Sequence, residues 1–493
     1  MRTRIFRSLL PSLLLTASAG GFISGCATNP VTGTPDLVFM TEAKEIELGN
    51  SYDSKVKKQY SVYPNPALQA YVQGIGEKLA AQSHRPHLKY HFTVLDSPEV
   101  NAFALPGGHI YITRGILAYI NSEADLAAVL GHEIGHVTAR HGVRQHSAAT
   151  ATGVVGAILG AATGIQGTQD LFNVFGSAFL SGYGREHELE SDRLGAQYLA
   201  RTGYDPQAMI EVVGILKNQE EFEKKRAEAE KRPARIYHGV FASHPSADKR
   251  LQEVVAEADK FKTVSAPSIK REEYFKRIDK LAFGDGAREG IRHGRIFYHR
   301  DLDLTLTFPE GWHIENSPDA IASWPPQKEA LMLIKKRAMP ADSTASLDSL
   351  LKSQVKLSAK YEGKPIPEMK LTSVTGTERM SGPFGRRETR VSAIHYGPNA
   401  YLFFGATKED STFTRFDPDF LATASSLRSL KPAEKILAEG QRVRLVRARP
   451  GDTFASFAKK SPLTEYSESI LRLINGKFPD GEPAAGELIK LIE

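Results

Sequence analysis

An apolar helical repeat near residue 130 carries three groups that an ordinary core helix does not: His132, Glu133 and His136. Leu126, Val129, Leu130, Ile134 and Val137 recur at the three- and four-residue spacing of a buried stripe. Ser122-Glu123-Ala124-Asp125 opens the segment like a capping box, and the helix is expected to run to about Arg140 with Gly142 as its C-cap. Positions four apart share a helix face, so His132 and His136 point two imidazoles at one spot. Two histidines so spaced can arise by chance on a structural helix. The same spacing also suits one tetrahedral zinc ion, with Glu133 placed to take a proton from water. A catalytic zinc needs a third protein ligand and one open position. If this is such a site, a distant segment has to fold back onto the helix, and that constrains the fold more than any other feature of the chain.

A third ligand ten residues after the first histidine would fall on Gly142; His141 misses that register by one and reads as a side chain at the helix end. The other source is a later helix, expected over about Arg185–Ala200 and ended by Gly203. It contains Glu186-His187-Glu188-Leu189-Glu190-Ser191-Asp192. Glu188 and Asp192 share a face, with Leu189, Tyr198 and Leu199 expected to pack inward. Glu188 is then the candidate ligand. Asp192 is placed to accept a hydrogen bond from the non-ligating nitrogen of His132, fixing its tautomer. Glu186 and Glu190 remain rivals for the ligand position.

His132–His136, Glu188–Asp192 and the segment Asn101-Ala102-Phe103-Ala104-Leu105-Pro106-Gly107-Gly108 together resemble the HtpX/BepA-like zinc metallopeptidases, the minigluzincin group. The resemblance covers about residues 27–260. It implies zinc held by His132, His136 and Glu188, with Asp192 behind them. It also implies an edge strand after the Pro-Gly-Gly turn, on which an extended substrate could pair. The implied chemistry is metal-assisted peptide hydrolysis with Glu133 as general base. His244 and Arg250, in a His-Pro-x4-Arg segment that also resembles the family, are expected to stabilise the oxyanion, with Tyr183 a weaker candidate. His244 also raises the expectation of a latch, in which a neutral imidazole occupies the fourth metal position and holds the enzyme shut.

At 493 residues the chain exceeds one ordinary core. Arg2, Arg4 and Arg7 precede a short apolar run, Leu9–Ala17, and then Ile23-Ser24-Gly25-Cys26. This reads as a signal peptide over residues 1–25 ending in a lipobox, with Cys26, the sole cysteine, lipidated. Ala27 after it implies sorting to the outer membrane, facing the periplasm. Without residues 1–25 the balance is 60 basic against 57 acidic residues, which is not the footprint of a nucleic-acid binder.

The expected fold class is α+β, in four parts. Residues 1–25 are the signal peptide, and 26–265 a mainly helical peptidase domain with a small edge-strand sheet. Residues 290–430 are an α+β accessory domain. Residues 440–493 are a small strand–helix–helix–strand module resembling LysM, a peptidoglycan-binding fold. The Ala- and Gly-rich stretch 147–184 reads as closely packed helices or a cover over a cleft. The expected partners are unfolded or misassembled envelope proteins as substrates, the outer membrane through Cys26, the β-barrel assembly machinery and peptidoglycan. A largely latent assembly factor or chaperone, or a cell-wall binder, are the competing functions.

Overall fold

The structure is a computed structural model. It describes residues 26–38, 40–147, 184–230, 252, 255, 256 and 258–261, and residues 266–493 except 288, 317–319, 340–346, 356, 358–360, 362 and 464. The expected signal peptide, the Ala- and Gly-rich stretch over 148–183, Tyr183, His244 and Arg250 lie outside the described residues. No helix among the described residues is long and apolar enough to cross a membrane.

Helix α1 (Glu42–Gln59) is capped by Thr41, whose side chain accepts from the backbone of Lys44, and α2 (Pro66–Ala80) by Asn65 with Pro66 in its first turn. Three short strands follow: β1 (His91–Leu95), β2 (Ala102–Leu105) and β3 (His109–Thr113). β3 lies in the middle, parallel to β1 and antiparallel to β2. This corrects the expected edge. Among the described strands, the one after the Pro-Gly-Gly turn is central and buried at every residue, and Ala102–Leu105 lies at the sheet edge. The turn reverses the chain so tightly because Gly107 and Gly108 adopt φ of 77° and 101°, which residues with a Cβ rarely take.

Helix α3 (Glu123–Thr138) begins as read, with the Ser122 side chain accepting from Asp125 N–H at 3.0 Å. It is buried on every side, not along one stripe, so its polar residues must be satisfied by protein groups. Gly142 is not its C-cap. The helix stops at Thr138, Arg140 takes the left-handed conformation at φ 57°, and residues 141–147 are helical again. Arg140 is held there by Glu45 and by the Met40 carbonyl, which offsets a conformation that glycine would adopt more easily.

Helix α4 (Arg185–Thr202) ends at Gly203, with φ 80°. Tyr198 and Leu199 are buried as expected, and Leu189 only partly. α4 lies against α3 at glycines: a Cβ on Gly135 would meet Ser191 Cα at 2.9 Å, and one on Gly195 would meet the His132 nitrogen at 3.0 Å. Helix α5 (Ala208–Ala229) follows a turn in which the Asp205 carboxylate accepts from Gln207 N–H. Then come α6 (Arg271–Ile278) and the short β4 (Ala282–Phe283).

The middle of the chain is α+β. An antiparallel sheet runs in the order His313–Asn316, Ile321–Trp324, Ala330–Ala338, Asn399–Thr407, Gly385–Tyr396, Ser373–Gly382. The helix Phe413–Ser425 covers it with Phe413, Phe416 and Phe420. Trp312 packs edge-on against Phe416 and Phe420. The chain ends in β5 (Gln441–Arg447), α7 (Phe454–Ala458), α8 (Ser467–Ile474) and β6 (Leu488–Ile492), the expected order of elements. β5 pairs with β6 on one side and with β4 on the other.

The hydrophobic core does not close near residue 265. One continuous cluster includes Leu68, Leu130 and Leu199 from the N-terminal elements, Tyr274 and Phe275 from α6, and Val443, Phe454, Ile474 and Ile489 from the last fifty residues.

Candidate metal centre

The close crossing of α3 and α4 sets side chains from both helices face to face. His132 Nε2 and His136 Nε2 lie 2.9 Å apart. Glu188 reaches between them, Oε2 at 3.3 Å from His132 Nε2 and Oε1 at 3.8 Å from His136 Nε2. These are the only His, Cys, Asp or Glu side chains among the described residues that converge in this way, with donor atoms within 4.8 Å of one another, and all three are buried. A tetrahedral ion with zinc-like bonds separates its donors by about 3.3 Å. The observed separations bracket that distance, and two imidazole nitrogens with one carboxylate leave a fourth position open.

The electrostatics also fit a cation. Burial opposes a charge on His132, yet hydrogen bonds to Asp192 and Glu188 carry its pKa up to about 10, so the carboxylates around it favour positive charge at this spot. His136, with burial and the charge of His132 against it, is held well below the ordinary histidine value. The rivals for the ligand position separate cleanly. Glu186 is exposed, and Glu190 bonds His141 and Arg144 instead.

Asp192 accepts from His132 Nδ1–H at 2.8 Å, which turns the other ring nitrogen, Nε2, toward His136 and Glu188. Glu133 is fully buried, and burial pushes its carboxyl up to about 8. Neither of its oxygens has a close hydrogen-bond partner among the described residues, and the nearby backbone of Ala104 in β2 eases the charge slightly. A carboxyl so placed can take up a proton near neutral pH, as a general base requires.

Residues 66–258 match peptidase family M48. Those residues form an M48-like domain. The beta-barrel assembly-enhancing protease of Yersinia pestis is 30% identical over 271 residues, covering 52% of this chain and 53% of the relative. That of Escherichia coli K12 is 26% identical over 285 residues, covering 54% and 55%. The mitochondrial metalloendopeptidase OMA1 of Arabidopsis thaliana is 33% identical over 173 residues, covering 33% and 34%. The chain spans about half the length of the beta-barrel assembly-enhancing proteases it matches. The solved structure of cyanobacterial PsbP from Synechocystis aligns at a TM-score of 0.23 and 12% identity, covering 28% of this chain and 95% of that one; so slight a likeness carries no argument.

Sequence reasoning missed two features of the M48 domain. The first is His141, read as a helix-end side chain. It is fully buried, with Nδ1 2.9 Å from His136 Nδ1 and Nε2 3.0 Å from Glu190. Burial holds His141 down at about 4. Glu190 is held at about 2, since its bonds to His141 and Arg144 outweigh the burial that would raise it. Only the left-handed turn at Arg140, invisible in a helical repeat, aims His141 back at the site.

The second is a buried ion cluster behind α3. Glu45 of α1 bonds Arg85 at 2.8 Å and Arg140 at 2.8 Å. Arg85 also donates to the Val137 carbonyl at the end of α3, where a cation suits the helix dipole.

Proposed function

We propose that this chain is a zinc-dependent endopeptidase of the bacterial envelope that cleaves unfolded or misassembled outer-membrane proteins. The observation that carries the reading is the convergence of His132, His136 and Glu188, with the buried Glu133 carboxyl on the same helix and the edge strand β2 packed against it. A zinc ion held by the three side chains supplies Lewis-acid polarisation of a peptide carbonyl and acidifies water. Glu133 removes a proton from the attacking water and returns it to the leaving amine. Asp192 holds the ring of His132 in register throughout. Ala102–Leu105, at the edge of its sheet, is placed for an extended substrate to add alongside, which selects for segments that have lost their own fold. His244 and Arg250 remain our candidates for donors to the substrate carbonyl oxygen.

The substrate class is supported by the printed name that the Yersinia pestis and Escherichia coli relatives share, beta-barrel assembly-enhancing protease. The β-barrel assembly machinery is the corresponding partner. Ile23-Ser24-Gly25-Cys26 supports lipid anchoring at Cys26 to the outer membrane, on the periplasmic side. The strand–helix–helix–strand order of β5, α7, α8 and β6 supports a LysM-like unit with peptidoglycan as its ligand.

Zinc content and cleavage of an unfolded model substrate, measured for wild type and Glu133→Gln, test the reading. A variant that keeps its zinc but loses about 10²–10⁴-fold in turnover supports it. Equal turnover in both proteins, or a folded wild type that binds no zinc, overturns it. His244→Ala separates the two roles for that residue: a rise in activity favours the latch, and a fall favours transition-state stabilisation.

A further inference from the structure

We infer that Glu190 and His141 form a relay that sets the tautomer of His136, so that each candidate ligand histidine is oriented by its own carboxylate. The inference rests on the metal-centre reading above and adds two positioning residues to it. On one side the arrangement is direct, with Asp192 accepting from His132 Nδ1–H. On the other, the carboxylate acts through a second imidazole. Glu190 Oε2 lies 3.0 Å from His141 Nε2, and Arg144 donates to the same oxygen at 3.1 Å. His141 Nδ1 lies 2.9 Å from His136 Nδ1.

The direction of the chain follows from what each group can do. A carboxylate only accepts, so the proton between Glu190 and His141 sits on His141 Nε2. A neutral imidazole carries one N–H, so His141 Nδ1 presents a lone pair. His136 must then donate from its own Nδ1, which leaves its Nε2 lone pair directed at His132 Nε2 and Glu188, where the metal is to bind. The opposite tautomer would set two lone pairs against each other at 2.9 Å and point an N–H into the ligand cluster.

The surroundings hold the relay in place. His141 is fully buried, its ring stacked on His187 at 4.3 Å and edge-on to His136 at 5.0 Å, with Ser191 Oγ 3.3 Å from the same Nδ1. Glu188, Glu190 and Asp192 lie within two turns of α4, so one helix supplies the ligand and both orienting carboxylates.

The test is zinc affinity, measured by chelator competition on the full chain, with folding checked by thermal melting of the metal-free proteins. His141→Leu removes the acceptor for His136 and should weaken zinc binding about 10–100-fold, the usual cost of losing an outer-shell partner. His141→Gln, whose amide can accept from His136 and donate to Glu190, should restore most of it. Glu190→Ala alters a side chain only 16% exposed but away from the ligand cluster, and should weaken zinc in the same way. If His141→Leu does not fold, Glu190→Ala and His141→Gln decide the matter. Unchanged affinity in Glu190→Ala, or His141→Gln as weak as His141→Leu, overturns the relay. A wild type that binds zinc tightly while 141 and 190 prove indifferent sinks the relay alone; a folded wild type that binds none sinks the metal centre with it.

Discussion

Glu45 shows at the residue scale how far a single side chain can lie from the chemistry and still govern it. Its side chain is 1% exposed and pairs with two buried arginines, Arg140 and Arg85, the latter shared with Glu42. Those arginines in turn secure the last turn of α3 and the backbone reversal that points His141 inward. Removing one partner of a buried pair leaves an uncompensated charge. Glu45→Ala should therefore cost about 3–5 kcal/mol in urea unfolding, well above an ordinary surface substitution. A loss comparable with a surface change would show that water reaches the arginines. Nothing in the local pattern around Glu45 marks it out: it sits on a largely exposed helix, and its partners are 40 and 95 residues away. The candidate ligand pair His132 and His136 was legible for the opposite reason, since both lie within about one helical turn.

At the scale of elements, the site depends on how closely α3 and α4 approach. Gly135→Ala would set a methyl group 2.9 Å from Ser191 Cα. Backbone cannot yield as a flexible side chain can, so the helices should part, at a cost of about 1–3 kcal/mol from overpacking. Zinc affinity should fall with stability, because Glu188 and Asp192 ride on the displaced helix; equilibrium unfolding and chelator competition together would show both losses.

The start of α3 makes a pH prediction. Burial favours the neutral form of Glu123, but hydrogen bonds from Lys270 (2.7 Å), Tyr204 (2.7 Å) and Tyr71 (2.8 Å) prevail and hold its carboxyl below the ordinary value of 4.5. A carboxyl whose folded pKa lies below its unfolded one contributes stability that is fully present above about pH 4.5 and is lost as pH falls through the folded value. Glu123→Gln should thus flatten the acid limb of a melting-temperature profile. An unaltered acid limb would show that the three donors do not favour the charged form.

For the molecule as a whole, the last fifty residues behave as part of the M48 domain's core and not as a tethered module. Ile489 is fully buried in the cluster that contains Leu130 and Leu199. Beside it Lys490, also fully buried, donates to the carbonyls of Ala118 and Ile120, just ahead of α3, at 2.7 and 2.9 Å. Ile489→Ala should cost about 2–5 kcal/mol and lower the same cooperative melting transition that reports the peptidase helices. A separate low-temperature transition, with the peptidase transition unmoved, would instead make the C-terminal unit independent.

What the amino-acid order determined by itself was periodic or local. The helical repeat, the Ser122 cap and the left-handed Gly203 stop are set within a few residues, where 3.6-residue geometry and glycine's freedom act directly. The strand–helix–helix–strand order of the C-terminus was legible for the same reason. Tertiary structure decided the rest. It brought Glu188, and not Glu186 or Glu190, up to His132 and His136 where two glycine-lined helices meet. It placed Ala102–Leu105 at the edge of its sheet and buried the strand after it. It turned His141 inward through an arginine in a conformation no repeat encodes, and it joined residues 443–492 to a core begun near residue 68. Each of these depends on groups distant in sequence competing for the same buried volume and the same hydrogen-bond donors, and that competition is settled only when the chain has folded.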